Sequence, residues 1–142
     1  MKQIVLDASV VLKWFFEEKD SALADKILLE FKKGNLKVFI PQIFFFEIVN
    51  VVKTKAKSTH NEGLEVTDKL FSLNFSTEKI NSPLLSKANY YAHKYNLSIY
   101  DASYIALAKI KKVIFLTADV KMVKKTDLKF VKSLKDFNDG QK

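Results

Sequence analysis

Four acids in this chain, Asp7, Glu47, Asp101 and Asp119, end or interrupt apolar runs, and an acid in such surroundings needs a partner. Asp7 directly follows Ile4-Val5-Leu6. Glu47 stands between Phe44-Phe45-Phe46 and Ile48-Val49, on a narrow polar stripe shared with Asn50 and Thr54. Asp101 is the one charge between Ile99 and Ala108, and Asp119 follows the run Val113–Thr117 by two residues. Each has a plain structural alternative. Asp7 can end a strand in a turn, and Glu47 can lie on a solvated helix face. Asp101 completes the capping-box spacing Ser98-x-x-Asp101, and Asp119 in Thr117-Ala118-Asp119 suits a helix N-cap. Taken together these alternatives weaken. Carboxylates a few ångströms apart repel, and some would have to take up protons. A divalent cation removes that conflict, and hard carboxylate oxygens are the ligands that Mg²⁺ or Mn²⁺ prefers. Zinc is disfavoured, because the chain has no cysteine and only His60 and His93, both in polar contexts that fit ordinary surface residues.

The elements that carry these acids alternate between strand and helix. Residues 3–6 read as a short buried strand, and apolar spacing predicts a helix over 21–33 that Gly34-Asn35 stops. Val38-Phe39-Ile40 reads as a second strand, with Pro41 suited to the first turn of a helix over 42–56. Thr59 and Glu62 have capping-box spacing for a helix over 61–73, and 75–80 reads as a more polar edge strand. Ser82-Pro83 opens a helix carrying Leu84, Ala88, Tyr91, Ala92 and Tyr95. A helix over 99–111, a strand over 113–117, a short helix from 119 and a last edge strand at Phe130-Val131 complete the pattern. Such alternation predicts an α/β fold with a mainly parallel sheet covered on both faces. Asp7 and Asp119 then lie at the carboxyl ends of their strands. Glu47 follows in the second turn of the helix after the second strand, and Asp101 sits at the N-terminus of a helix running antiparallel to the strand at 113–117. All four are expected on one rim, where open parallel sheets bind ligands.

With 142 residues, 48% of them hydrophobic, the chain reads as one domain, 1–142, able to bury a core without disulfides. No apolar stretch reaches membrane-spanning length, so a soluble, cytoplasmic protein is expected. All 24 basic residues are lysine and the net charge is +8. From Lys109 to Lys142 ten lysines face four acids. A surface of this kind attracts polyanions such as RNA or DNA, through point charges and without the bidentate forks that arginine would supply. An acidic metal pocket inside a basic protein suits phosphodiester hydrolysis: lysines draw in the backbone, and the metal lowers the pKa of a bound water and stabilises developing charge.

At these residues the chain resembles the PIN-domain family, and most of all the toxin subunits (VapC-type) of bacterial and archaeal toxin–antitoxin pairs. The resemblance rests on Val5-Leu6-Asp7-Ala8-Ser9-Val10-Val11-Leu12-Lys13-Trp14-Phe15, Pro41-x5-Glu47-x2-Asn50, Tyr100-Asp101-Ala102-Ser103-Tyr104-Ile105-Ala106-Leu107-Ala108 and Leu116-Thr117-Ala118-Asp119. It implies a three-layer α/β/α sandwich and an Mg²⁺- or Mn²⁺-dependent endoribonuclease. It also implies metal-binding and catalytic roles for Asp7, Glu47, Asp101 and Asp119, supported by Ser9, Asn50 and Thr117. It implies RNA as substrate, a possible cognate antitoxin, and a homodimer to which Trp14 and the Phe44–Phe46 run could lend apolar area, although such aromatics are more often core than interface. Lys13 and Glu18 match the family's Lys-Trp-Phe…Glu stretch, but surface charge on the first helix is the simpler reading of both. Other enzyme classes fit less well: Ser9 stands where a haloacid-dehalogenase-like site carries its second Asp, and no glycine precedes Gly34 to form a phosphate loop. The alternative from a different class is a non-catalytic PIN module that binds RNA or a protein without cutting it.

Overall fold

The computed structural model describes residues 1–55 and 57–139, the last two by their backbone alone. Residue 56, the expected end of one helix, and Lys142, the last residue of the lysine-rich segment, lie outside the described residues. Five strands, β1 (Lys2–Leu6), β2 (Leu36–Pro41), β3 (Ser76–Glu78), β4 (Ile114–Thr117) and β5 (Val131–Ser133), form one sheet in the order β3-β2-β1-β4-β5. Every pairing is parallel. The helices are α1 (Ala8–Val11), α2 (Ser21–Lys32), α3 (Ile43–Thr54), α4 (His60–Ser72), α5 (Ser82–Tyr95), α6 (Ile99–Lys111), α7 (Val120–Thr126) and α8 (Leu134–Asp139), with a 3₁₀ turn at Leu12–Trp14 after α1. Among the described residues, no helix is long and apolar enough to cross a membrane.

The central strands are apolar on both faces because both are covered. Ile4, Val5 and Leu6 of β1, and Val38 and Ile40 of β2, are fully buried. Helix α6 lies against β1, β2 and β4 with α5 packed on it, while α2 and α8 lie against β2 and β4. From β1 the chain steps outward to β2 and β3, then returns to the other side of β1 for β4 and β5. Right-handed crossovers in opposite directions put helices on opposite faces, which gives the expected three-layer sandwich. They also open a crevice between the carboxyl ends of β1 and β4, where the winding reverses.

The helix boundaries follow the local chemistry. Thr59 and Glu62 make the reciprocal capping box that opens α4. Asn81 caps α5 ahead of Pro83, and Ser98 caps α6 by accepting from the Asp101 N–H at 3.0 Å. Pro41 is the last residue of β2, paired with Glu78, and α3 begins only at Ile43. The short helix α8 has no counterpart in the sequence reading. Of the aromatics that could have lent area to a dimer, two are core, the commoner place for them. Trp14 packs inward, its Nε1–H donating to the Ala24 carbonyl at 2.8 Å and its ring stacked on Phe75. Phe44 is fully buried, so of the Phe44–Phe46 run only Phe46 is largely exposed, at 77%. Lys13 is no surface charge either: its side chain is only 11% exposed and reaches Glu18 at 3.4 Å. His60 and His93 are exposed, as expected.

Candidate active site

Strand register decides what stands beside Asp7. Leu6 pairs with Leu116, so the next residue of β1 falls beside Thr117, and the Asp7 N–H donates to the Leu116 carbonyl at 3.0 Å. Asp7 then turns into α1, which returns Ser9 to the same point. Thr117 and Ser9 both donate hydroxyl hydrogen bonds to Asp7 Oδ2, at 2.7 and 2.8 Å. Ser9 Oγ in turn accepts from the Ala118 N–H at 3.1 Å, and Thr117 Oγ1 from the Asp119 N–H at 3.0 Å. Two hydroxyls thus lock the exit of β1 to the exit of β4. Asp7 and Thr117 are both buried. Thr117→Val keeps the shape and deletes the hydroxyl, leaving Asp7 short of one donor and the Asp119 N–H short of its acceptor. It is expected to lower stability by about 1–3 kcal/mol, read as a lower denaturant midpoint at unchanged m.

The other acids arrive as their elements require. Glu47, in the second turn of α3, is half-buried, and its Oε1 accepts a hydrogen bond from the hydroxyl of Tyr104 on α6. Asp101 is half-buried in the first turn of α6, its N–H taken by Ser98. Asp119 is exposed at the N-terminus of α7, capping it by accepting from the Met122 N–H at 3.2 Å. Asn50 also faces solvent one turn beyond Glu47. Its carbonyl accepts from Thr54 Oγ1, and its side chain makes no hydrogen bond to the acids.

The four carboxylates feel one another. Burial raises the pKa of Asp7 against the pull of Thr117 and Ser9, and the charge of Asp101 raises it further. Burial likewise lifts Glu47 to about 7, with the Tyr104 hydrogen bond opposing and the charges of Asp7 and Asp101 adding. Asp101 is pushed up by burial and then by Asp119. The acids form a chain of mutual repulsion from Glu47 through Asp7 and Asp101 to Asp119. Even so, among the described residues no group of three or more His, Cys, Asp or Glu side chains is gathered tightly enough to hold an ion. Each acid is held by its own donors on the rim, and like charges do not close on one another unaided. Hard oxygen donors carrying raised pKa values still fit a hydrated dication, since Mg²⁺ keeps several waters and takes one or two carboxylates directly.

Tyr104 is the residue that sequence reasoning passed over. It is fully buried beneath the acids, where burial and then the charges of Asp7 and Glu47 drive its pKa well above the ordinary value. The available signal was a tyrosine one turn after Asp101 on a helix buried nearly all round, where the hydroxyl must find a partner.

The PIN domain family model matches residues 4–128, and the chain belongs to that family. No curated protein matches it. Among solved structures it is similar to a chain of a toxin–antitoxin complex from Klebsiella pneumoniae, at 16% identity and a TM-score of 0.70, covering 92% of this chain and 97% of that one. It is similar to PAE2754 from Pyrobaculum aerophilum, at 20% identity and a TM-score of 0.69, covering 96% and 86%. It is also similar to VapC20 of Mycobacterium tuberculosis, described as a sarcin-ricin loop cleaving toxin, at 13% identity and a TM-score of 0.63, covering 81% and 87%.

Proposed function

We propose that this protein is a cytoplasmic, Mg²⁺- or Mn²⁺-dependent endoribonuclease and the toxin of a toxin–antitoxin pair. The observation that carries the reading is the field of Glu47, Asp7 and Asp101, three acids raised by burial and by the charge of neighbouring carboxylates at the crevice between β1 and β4. Asp7, Glu47, Asp101 and Asp119 would hold a hydrated ion between them, one or two directly and the others through water. Once bound, the dication would supply an activated water and neutralise charge on the transferring phosphoryl group. The protein's own part is to orient these groups. Ser9 and Thr117 fix Asp7 Oδ2 at the carboxyl end of β1. Tyr104 fixes Glu47 Oε1, so Oε2 is the oxygen left to accept a proton. The lysines bring the RNA backbone to an otherwise repulsive pocket. Incubating RNA with the protein in Mg²⁺ or Mn²⁺ and in EDTA tests the proposal: cleavage with the metals and none in EDTA is expected. RNA bound but intact under every metal would favour the non-catalytic module.

Two of the similar structures belong, by their descriptions, to toxins or toxin–antitoxin complexes, which supports an antitoxin as partner here. Growth arrest on expression, relieved by a co-expressed neighbouring gene, is the corresponding test. A homodimer is proposed through the outer face of α3 and α4. There, Phe45 stacks on Phe71 at 4.6 Å and lines a recess of about 610 Å³ in which Lys79 is the one charged residue. Two lysine-rich copies need such a charge-poor, aromatic face to meet. Phe71, 63% exposed, can be changed without opening the core. Phe71→Asp is expected to convert a sedimenting dimer into a folded monomer; a wild type that sediments as a monomer would rule the dimer out.

A further inference from the structure

The edge of the sheet opposite the acids carries a second feature that the proposed chemistry leaves unused. A groove of about 710 Å³ lies at the amino ends of β1 and β4, lined by Lys2, Lys109, Lys111 and Lys112 with Ile114 and Phe130 in its wall. Lys109, Lys111 and Lys112 close α6, and the fold brings Lys2, from the start of β1, beside them. Lys111 is paired with Glu78 at 3.0 Å. Among the described residues, Lys2, Lys109 and Lys112 form no ion pair. Two of them are nonetheless placed, Lys109 Nζ over the Phe130 ring at 5.8 Å and Lys2 Nζ over the Phe137 ring at 4.5 Å. Lys112 stands at φ +59°, the left-handed position after a helix where glycine or asparagine is usual.

We infer that this lysine groove is an anchoring site for the phosphate backbone of RNA, remote from the point of cutting. Helix C-termini favour lysine in their last turn, which accounts for Lys109 and Lys111 but neither for Lys2 nor for a cationic residue in a strained position. Three cations without ion-pair partners, Lys2, Lys109 and Lys112, are complementary to a polyanion, and lysines act on phosphates as point charges that read no sequence. The groove and Asp7 stand at opposite ends of β1, about 17 Å apart at about 3.3 Å per residue. An RNA held at both places must therefore pass around the domain, and a short fragment reaches only one of them. The inference rests on RNA being the substrate, so its test separates the two.

Lys109→Gln/Lys112→Gln is compared with Lys19→Gln/Lys26→Gln, which removes the same charge from exposed positions elsewhere. Binding of a 30-nucleotide single-stranded RNA is measured across salt in EDTA, where cleavage plays no part. The groove variant is expected to lose roughly tenfold in affinity, and its log–log salt slope should flatten by about 1.4, two single-strand contacts' worth. The control variant should lose much less. In Mg²⁺ the groove variant should raise KM for the 30-mer at unchanged kcat and leave kcat/KM for a tetranucleotide as in wild type. Equal losses in the two variants, or an unaltered salt slope, would overturn the site. So would RNA affinity indifferent to the groove while an acidic protein segment binds there. If no metal gives cleavage but the groove variant still releases the 30-mer, the anchor stands and the nuclease reading falls.

Discussion

Asp101→Asn is expected to reduce metal-dependent RNA cleavage by about 10²–10³-fold, the scale on which losing a preorganised partner of developing charge is felt, while the metal-free protein melts no lower than wild type. The two halves of this result have one cause. Asp101 sits between Asp7 and Asp119 in the chain of repulsion, raising the pKa of the first and being raised by the second. In the absence of a cation its charge is a burden on the fold. With a cation it is part of the binding energy. Asparagine keeps the size and the backbone N–H that Ser98 accepts, so the start of α6 is preserved. A merely structural acid would behave in the opposite way, with stability falling and activity following it. Asp7→Asn should lose activity to a similar degree but is the less clean variant. Its Oδ2 accepts from both Ser9 and Thr117, and an amide placed there with its nitrogen facing two hydroxyls must flip or break one bond. Cleavage surviving in folded Asp101→Asn at more than about a tenth of the wild-type rate would remove the acids from the mechanism.

The features that local pattern can report were legible in the sequence. The run Ile4-Val5-Leu6 ending in Asp7, the capping chemistry of Thr59 and Glu62, and the helix from Ile99 buried over Ala102–Ala108 all stand where expected. Parallel order followed from alternation, and the carboxyl-edge placement of all four acids followed from parallel order. Contacts between segments far apart in the chain were not legible. The Tyr104–Glu47 hydrogen bond joins residues 57 apart, and the hydroxyl of Thr117 reaches Asp7 across 110. Periodicity has no term for either. Lys13 misled because charge on a short helix suggests solvent, whereas the turn at Leu12–Trp14 folds its stem inward toward Glu18. Trp14 and Phe44 took the commoner place of aromatics, the core, but three phenylalanines in a row cannot all face the core of one helix, and spacing alone does not reveal which one faces out.

The metal-free protein should lose stability as pH rises from about 4.5 to 7, and Glu47→Gln should remove a large share of that loss. Asp7, Asp101 and Glu47 all have folded-state pKa values above their ordinary ones, Glu47 at about 7 against 4.5. The folded state therefore holds protons that the unfolded chain has already released, and folding is favoured where those protons are abundant. The contribution is complete below the unfolded pKa values and is lost as pH climbs through the folded ones, which for Glu47 is the window from about 4.5 to 7. Glutamine cannot ionise, yet it offers Tyr104 the same acceptor. At pH 8 in EDTA, Glu47→Gln should be more stable than wild type by about 1–3 kcal/mol, the worth of roughly one to two pKa units, and the two should converge near pH 4.5. Comparing variant with wild type cancels the repulsion among the 24 lysines, which changes little across this range. Adding Mg²⁺ or Mn²⁺ at pH 8 should raise the wild-type melting temperature, by the equivalent of about 2.7 kcal/mol at a hundred times the dissociation constant, and raise that of Glu47→Gln less. Parallel pH profiles for the two proteins would mean that Glu47 ionises as freely as an exposed acid, and the crowding of negative charge at the crevice would then be too weak to demand a cation.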